Sequence, residues 1–321
     1  MSALQTALGE YLAVRRSLGF KLRYEALPLL DFVRSVEQSG ASFITADLAL
    51  QWATQPRDCQ PANWARRLSM IRPFARYCAG LDSRTQILPV GLLPHRFHRK
   101  RPYIYSDEEV SQLMQAAREL PSRTGLRAAT YSTLFGLLAV TGMRVGEAVG
   151  LDREDVDLQQ GVLTIRLGKF GKSRLVPIHT STRDALETYA RIRDYTCPHP
   201  TSHSFFIFES GDRITNRGVD YMFVRLSRRI GLRGPTDSRG PRLHDLRHTF
   251  AVRTLLGWHQ AGVELERYLP RLSTYLGHAN VTDTYWYLTG TPELLRLAAL
   301  RLESPKEHNS HENQQQFPGI A

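Results

Sequence analysis

Residues 241–256, PRLHDLRHTFAVRTLL, carry two histidines and an arginine on one turn of an expected helix. His244 and Arg247 are three apart and His248 is four from His244, spacings that put all three on one helical face. A hydrophobic core excludes an arginine, and a metal site has no use for one among its ligands. A bound anion does call for this combination, because fixed N–H donors meet negative charge. The rest of the chain has to say which anion.

The chain has 321 residues, a length that suits about two domains, each with its own core. Its 42 Lys plus Arg exceed its 31 Asp plus Glu, leaving a formal net charge of +11. A basic surface of this kind gains affinity for nucleic acid by releasing counterions from phosphates. The plain alternative is charge that only keeps the surface soluble. Cys59, Cys78 and Cys197 lie far apart with no CxxC spacing, so they read as free thiols of a reducing compartment, neither disulfides nor zinc ligands. The stretch MSALQTALGEYLAVRR lacks the basic, apolar and small-residue regions of an export signal. The longest apolar run, LFGLLAV at 134–140, is too short to cross a bilayer. The expectation is a soluble, cytoplasmic protein with no membrane association.

The N-terminal part reads as four amphipathic helices without a strand. LQTALGEYLAV (4–14) and LPLLDFVRSVEQSG (27–40) repeat apolar residues at helical spacing, the second stopping at Gly40. A third helix is opened by Thr45 as N-cap of TADLALQWA, and a fourth follows Pro61 in ANWARRLSMIRPFARYCAG. This fourth helix carries Arg66, Arg67, Arg72 and Arg76. Any one of them reads as part of a solvated face, whereas the group fits a helix laid along a phosphate backbone. In PHRFHRKRPYIYSDEE, Arg96, Arg99, Lys100 and Arg101 sit between two prolines, which favours an extended basic linker. Ser106 and Glu109 then have capping-box spacing and open the next helix.

From residue 106 the pattern changes. Helices near 107–119 and 124–141 lead into TGMRVGEAVGL (141–151), and GVLTIRLGKFGKSRLVPI (161–178) alternates and turns like a β-hairpin with Phe170 and Gly171 near its tip. SFFIFES (204–210) is expected to add a short strand, and helices resume near 216, broken by GLRGPTDSRGPR. The fold class expected is mainly α with a small antiparallel β-sheet. The domains expected are a helical one at 1–94, a basic linker at 95–105, a second domain at 106–303 and a polar, disordered tail at 304–321.

Four separated stretches can be read together: Arg144 in TGMRVGEAVGL, Lys169 in LGKFGKSRLVP, the His244/Arg247 helix, and His278 followed by Tyr287 in LGHANVTDTYWYLTG. Together they resemble the tyrosine recombinases, the phage integrase family, whose pattern is Arg, Lys, His-x-x-Arg, His and a nucleophilic Tyr in that order. TGMRVGEAVGL matches the first arginine box, HDLRHTFA the second, and LGHANVTDTYWY the last, with the family's nine residues from His278 to Tyr287. The helical N-terminal region is similar to the family's core-binding domain in architecture alone. The resemblance implies a tyrosine-recombinase catalytic domain behind a helical core-binding domain.

It also implies a reaction in which DNA strands are cleaved and rejoined through a 3′-phosphotyrosyl bond without metal, ATP or any other cofactor. Attack on a phosphodiester places charge on the non-bridging oxygens, and without a metal fixed donors must meet it. Arg144 and Arg247 can each offer a planar fork of N–H groups. Tyr287 is the expected nucleophile, His244 the base, His278 a phosphate donor, and Lys169 the acid that protonates the leaving 5′-oxygen. Lys172, the rival for that last role, is placed on backbone phosphate. Tyr285 lies two residues from Tyr287, about 200° round a helix, and is expected to pack. His248 reads as a structural neighbour and Glu147 as a buttress for Arg144.

The partners implied are double-stranded DNA with specific core sites and a tetramer on two such sites, homomeric or shared with a related recombinase. An accessory DNA-bending protein fits the same picture, as does a nucleoid-associated location. Leu294, Leu295, Leu297 and Leu300 in TPELLRLAALRLE form an apolar stripe that in this family commonly docks on a neighbouring subunit. With no additional arm-binding domain expected, the arrangement resembles Xer-like or transposon-borne recombinases, which integrate, excise or resolve DNA. The alternatives are a type IB topoisomerase or telomere-resolving enzyme, and a catalytically silent DNA-binding protein of the same fold. A metal-dependent nuclease is opposed by the lack of a ligand set and by two arginines that would repel a cation.

Overall fold

The computed structural model describes residues 2–22, 24–94, 101–166 and 173–289. The chain divides into two compact units, Met1–Lys100 and Arg101–Ala321. Lys169, Lys172, Arg96, Arg99, Lys100, the hairpin tip with Phe170 and Gly171, the leucine stripe after residue 290 and the polar tail lie outside the described residues.

The N-terminal unit is built on α1 (Ala3–Ser17), α2 (Ala26–Gln38), α3 (Ala46–Thr54) and α4 (Pro61–Ala79). The side chains of Ser2 and Thr45 accept from Gln5 N and Leu48 N and so cap α1 and α3, and Pro61 opens α4 where no N–H is needed. The apolar faces close on one core of Leu8, Phe32, Val33, Trp52, Ile71 and Phe74, each no more than 3 % exposed. The indole N–H of Trp52 is not left unpaired, since it donates to Asp31 at 2.8 Å.

The second unit begins within the basic linker. Tyr105 is buried, its N–H bound to Thr249 Oγ1 at 3.0 Å and its hydroxyl donating to the Arg242 carbonyl at 3.0 Å. Then come α5 (Asp107–Arg118), opened by the Ser106/Glu109 capping box, α6 (Leu126–Thr141) and the short α7 (Val145–Val149). A three-stranded antiparallel sheet follows, β1 (Val156–Asp157), β2 (Val162–Ile165) and β3 (Arg174–Pro177), in the order β1-β2-β3. The chain continues through α8 (Thr180–Thr196), α9 (Asn216–Arg229), α10 (Asp245–Gln260), α11 (Leu265–Leu276) and α12 (Thr282–Thr289). Among the described residues, no helix is long and apolar enough to cross a membrane.

α6 is the hub of this unit. Tyr131, Leu134, Phe135, Leu137 and Leu138 are all buried on it, and so are Thr130 and Thr141, which places apolar and small polar residues right round the helix. A second cluster joins Ala251, Val252 and Leu255 of α10 to Leu269, Leu272 and Leu276 of α11 and Tyr287 of α12.

One local expectation is corrected, and two elements that the sequence left unassigned appear. SFFIFES forms no named strand; it makes only isolated bridges, Asp152 with Ser204 and Ile207 with Arg213. Phe205, Phe206 and Ile207 are all buried, so the run lacks the alternation of a half-exposed strand. The hairpin gains an edge partner, β1, too short to leave a periodic signal. Residues 180–196 form a full helix, α8, whose mostly charged and polar sequence buries only Leu186, Tyr189 and Arg193.

Candidate active site

The site is framed by the ends of α6 and α11, each closed by a glycine in the left-handed region, Gly142 at φ 61° and Gly277 at φ 68°. A Cβ on Gly142 would lie 2.5 Å from the Phe250 ring, and one on Gly277 would lie 2.7 Å from Arg174 Nη1. Space and conformation therefore both require glycine just ahead of Arg144 and His278.

The backbone carbonyls at these two helix ends receive guanidinium donors. Arg247, 2 % exposed and one turn into α10, donates from Nη1 to the Gly142 carbonyl at 2.8 Å and from Nη2 to the Leu276 carbonyl at 2.7 Å. Arg144, at the N-cap of α7, donates from Nη2 to the Gly277 carbonyl at 3.0 Å and from Nη1 to Glu147 Oε1 at 2.7 Å. Helix C-termini carry partial negative charge, so the arginines are held where the backbone favours them. Of the five N–H groups each guanidinium carries, these contacts use two on each.

Tyr287 is 4 % exposed, and its phenol lies beside the Arg247 side chain. Its ring stacks on His278 at 5.8 Å between centroids and meets His248 edge to face at 5.3 Å. His248 in turn meets His244 at 5.1 Å, with the rings perpendicular. His278 Nδ1 pairs with the buried Thr284 hydroxyl at 2.8 Å, which fixes the ring and leaves Nε2 for another partner.

These surroundings favour neutral histidines. Burial, reinforced by Arg247 and Arg144, pushes His278 down from 6.5 to about 4. Burial and then the neighbouring His244 bring His248 to about 4. The His244 ring is open to solvent on one side, but the protein packed around it and the Arg247 charge still lower its pKa. Glu147 goes the other way for a carboxylate so enclosed: burial would raise it, yet hydrogen bonds from Arg174 and Arg144 hold it near 2. Burial lowers Arg247 as well, but a guanidinium remains cationic in proteins.

Of the residues singled out in the sequence, Arg144, His244, Arg247, His278 and Tyr287 thus gather in one cluster, although more than a hundred positions separate the first from the last. Tyr285 is corrected: it is 48 % exposed and does not pack. The rotation that turns Tyr287 inward turns Tyr285 to solvent. His248 is closer to the phenol than a neighbour on the same helix need be. On α4, Arg66 and Arg76 are exposed, as is Arg101 within the linker. Arg67 instead lies over the Trp52 ring at 3.6 Å and donates to the Trp52 carbonyl, and Arg72 donates to the Leu88 and Pro89 carbonyls at 3.1 Å each. Among the described residues no group of three or more His, Cys, Asp or Glu could hold a metal ion.

The sequence reading passed over Arg174. Its fork grips both oxygens of Glu147 at 3.0 and 2.7 Å, and its Nε–H donates to the Tyr275 carbonyl at 2.8 Å. A signal was present: in β3, Arg174 shares the inward face with Val176 while Leu175 points out at 65 % exposure. An arginine facing inward beside an outward leucine marks a buried partner.

Comparison with known proteins adds an independent view. Residues 104–293 match the model of the phage integrase family. The chain is 51 % identical over 307 residues to the "Putative integrase/recombinase y4rB" of Sinorhizobium fredii, covering 94 % of this chain and 98 % of that one. It is 30 % identical over 226 residues to the tyrosine recombinase XerC of Chlamydia trachomatis, covering 69 % and 65 % of the two chains. Among solved structures, the Tn1549 transposon integrase with circular intermediate DNA superposes with a TM-score of 0.65 at 18 % identity, covering 94 % of this chain and 100 % of that one.

Proposed function

The chain belongs to the phage integrase family, and from that premise we propose how its residues divide the work of cleaving and rejoining DNA. As a family member it is a tyrosine recombinase, an enzyme that cuts and reseals DNA strands in site-specific recombination.

In the proposed reaction the Tyr287 oxygen attacks the scissile phosphorus and passes its proton to His244, which is neutral at pH 7 and so free to accept it. A 3′-phosphotyrosyl bond forms as the P–O5′ bond breaks, and the leaving oxygen takes a proton from Lys169. Arg144 and Arg247 meet the non-bridging oxygens with the N–H groups left over from their carbonyl contacts, and His278 adds a donor through Nε2. Rejoining reverses the step with a 5′-hydroxyl from another strand. A phosphodiester replaces a phosphodiester, so neither ATP nor a metal is needed to balance the reaction.

The single observation carrying this reading is the buried Tyr287 ring, stacked on His278 and set beside Arg247 of its own chain. It supports attack in cis, with the nucleophile and its anion-binding arginines on one subunit. The remaining assignments complete the proposal. Residues 1–94 act as the core-binding domain, with Arg66 and Arg76 on phosphates, and Arg96, Arg99, Lys100 and Arg101 track the duplex between the units. Four subunits assemble on two specific core sites in the cytoplasm, at the nucleoid, serving integration, excision or resolution of a mobile element.

The test uses an end-labelled duplex obtained by binding selection from a random-sequence library. Wild type and Tyr285→Phe are expected to leave a denaturant-resistant protein–DNA adduct, and Tyr287→Phe none. An adduct that survives Tyr287→Phe and disappears with Tyr285→Phe overturns the assignment.

A further inference from the structure

Glu147 sits where a recombinase can least use a negative charge, beside an arginine proposed to face a phosphate. Its carboxylate accepts from the Arg144 backbone N–H at 3.0 Å and from Arg144 Nη1 at 2.7 Å. If these were its only partners, Arg144 and Glu147 would form a neutral pair, and the transition-state anion would gain little from that arginine. The geometry adds a third charge. Arg174 closes a bidentate contact on the far side of the same carboxylate, at 3.0 and 2.7 Å, with its side chain only 11 % exposed. The cluster of two guanidiniums and one carboxylate carries a net positive charge, and its least covered member is Arg144 at 24 % side-chain exposure.

We infer that Arg174 is a positioning residue for strand cleavage: by occupying Glu147 it leaves Arg144 an uncancelled cation, aimed by the carboxylate but not neutralised by it. Arg174 itself is not a phosphate ligand. Two of its nitrogens are committed to Glu147 and its Nε–H to the Tyr275 carbonyl two residues before Gly277. Lysine cannot substitute fully, because one ammonium cannot span both carboxylate oxygens and a backbone carbonyl in this planar arrangement. The inference rests on the proposed role of Arg144.

The experiment measures single-turnover adduct formation by the full chain on the selected duplex and on the same duplex with a methylphosphonate at the scissile position, where one charged non-bridging oxygen is replaced by a methyl group. Arg174→Ala should slow the phosphodiester reaction about 10–100-fold, as loss of a supporting contact to a site residue commonly does. The loss should shrink to less than about a third of that on the methylphosphonate, which presents less charge to the clamp. Adding Glu147→Gln to Arg174→Ala should recover most of the lost rate, since the uncompensated carboxylate is then gone. Equal losses on both substrates, with no recovery in the double variant, would overturn the inference and leave Arg174 a structural tie between β3 and α11. Should Arg174→Ala not fold, Arg174→Lys carries the same comparison, with a smaller loss and the same preference for the methylphosphonate. Failure of wild type to form any adduct would instead sink the recombinase reading, so the two failures are distinguishable.

Discussion

Arginines cluster in both units, four on α4 of the N-terminal unit and three around Glu147 and Gly142 of the other, and in both places several donate to backbone carbonyls. The difference lies in what the carbonyls belong to and what faces the remaining donors. Arg67 and Arg72 bond to Trp52 and to the Leu88–Pro89 stretch and so tie their own unit together. Arg144 and Arg247 bond to the ends of two helices, the second of which leads into His278, and Arg247 lies beside Tyr287 of α12, so the same type of contact gathers them with other reactive groups. An internal hydrogen bond therefore does not by itself separate a structural arginine from a working one. Convergence with other reactive groups does.

The sharpest way to break this comparison is to remove an arginine from each set. Arg247→Ala should lower single-turnover strand cleavage by about 10²–10³, the usual cost of one oxyanion donor, while duplex binding by gel shift changes little. A loss below about tenfold would place Arg247 with the structural set. Next in size is a difference in acid stability. Residues 1–94 contain no histidine, whereas His248 and His278 are held near 4 in the folded state against 6.5 when unfolded. Between those values the unfolded chain binds more protons than the native one, so stability present above about pH 6.5 is lost as pH falls toward 4. Each unit of depression is worth about 1.4 kcal/mol. Glu147, near 2 in the folded state against 4.5 unfolded, adds to the loss at the acid end of this window, where the unfolded carboxylate begins to bind a proton. Scanning calorimetry should show the second unit's transition dropping in this range while the N-terminal unit's holds; a parallel fall of both would contradict the burial argument.

The smallest effects separate the α4 arginines from one another. Arg67→Ala should destabilise the N-terminal unit by about 1 kcal/mol through the lost contact with Trp52, with no change in the salt dependence of DNA binding. Arg66→Ala with Arg76→Ala should do the reverse, leaving the melting temperature alone and reducing the slope of log affinity against log salt by about 0.9 per lost phosphate contact. If Arg67 proves to govern the slope, its packing on Trp52 gives way when DNA binds.

Much of this was legible in the residues. The four N-terminal helices followed from apolar spacing with Thr45 and Pro61 as start signals, and the Ser106/Glu109 capping box formed as read. The positions proposed to carry the chemistry were legible as candidates because each lies in a short motif with fixed spacing. What escaped was set by partners distant in sequence. α8 was missed because it buries so few of its residues. Arg174 was missed because its meaning depends on a carboxylate 27 positions earlier in the chain. Tyr285 was misplaced because the two-residue offset from Tyr287 says that the rings face apart, and not that the outward one finds neighbours.

By itself the sequence determined most of the helical segments, α8 apart, which side chains could serve phosphoryl transfer and in what order they occur, since helical periodicity, caps and motif spacing are properties of neighbouring residues. Only the tertiary structure decided that Arg247 bonds the carbonyls at the ends of both glycine-ended helices while Arg144 bonds the second of them, that Tyr287 turns in and Tyr285 out, and that Glu147 is shared between Arg144 and Arg174. Those outcomes depend on packing among elements far apart along the chain, where burial and electrostatic pairing, and not local conformational preference, choose the partner.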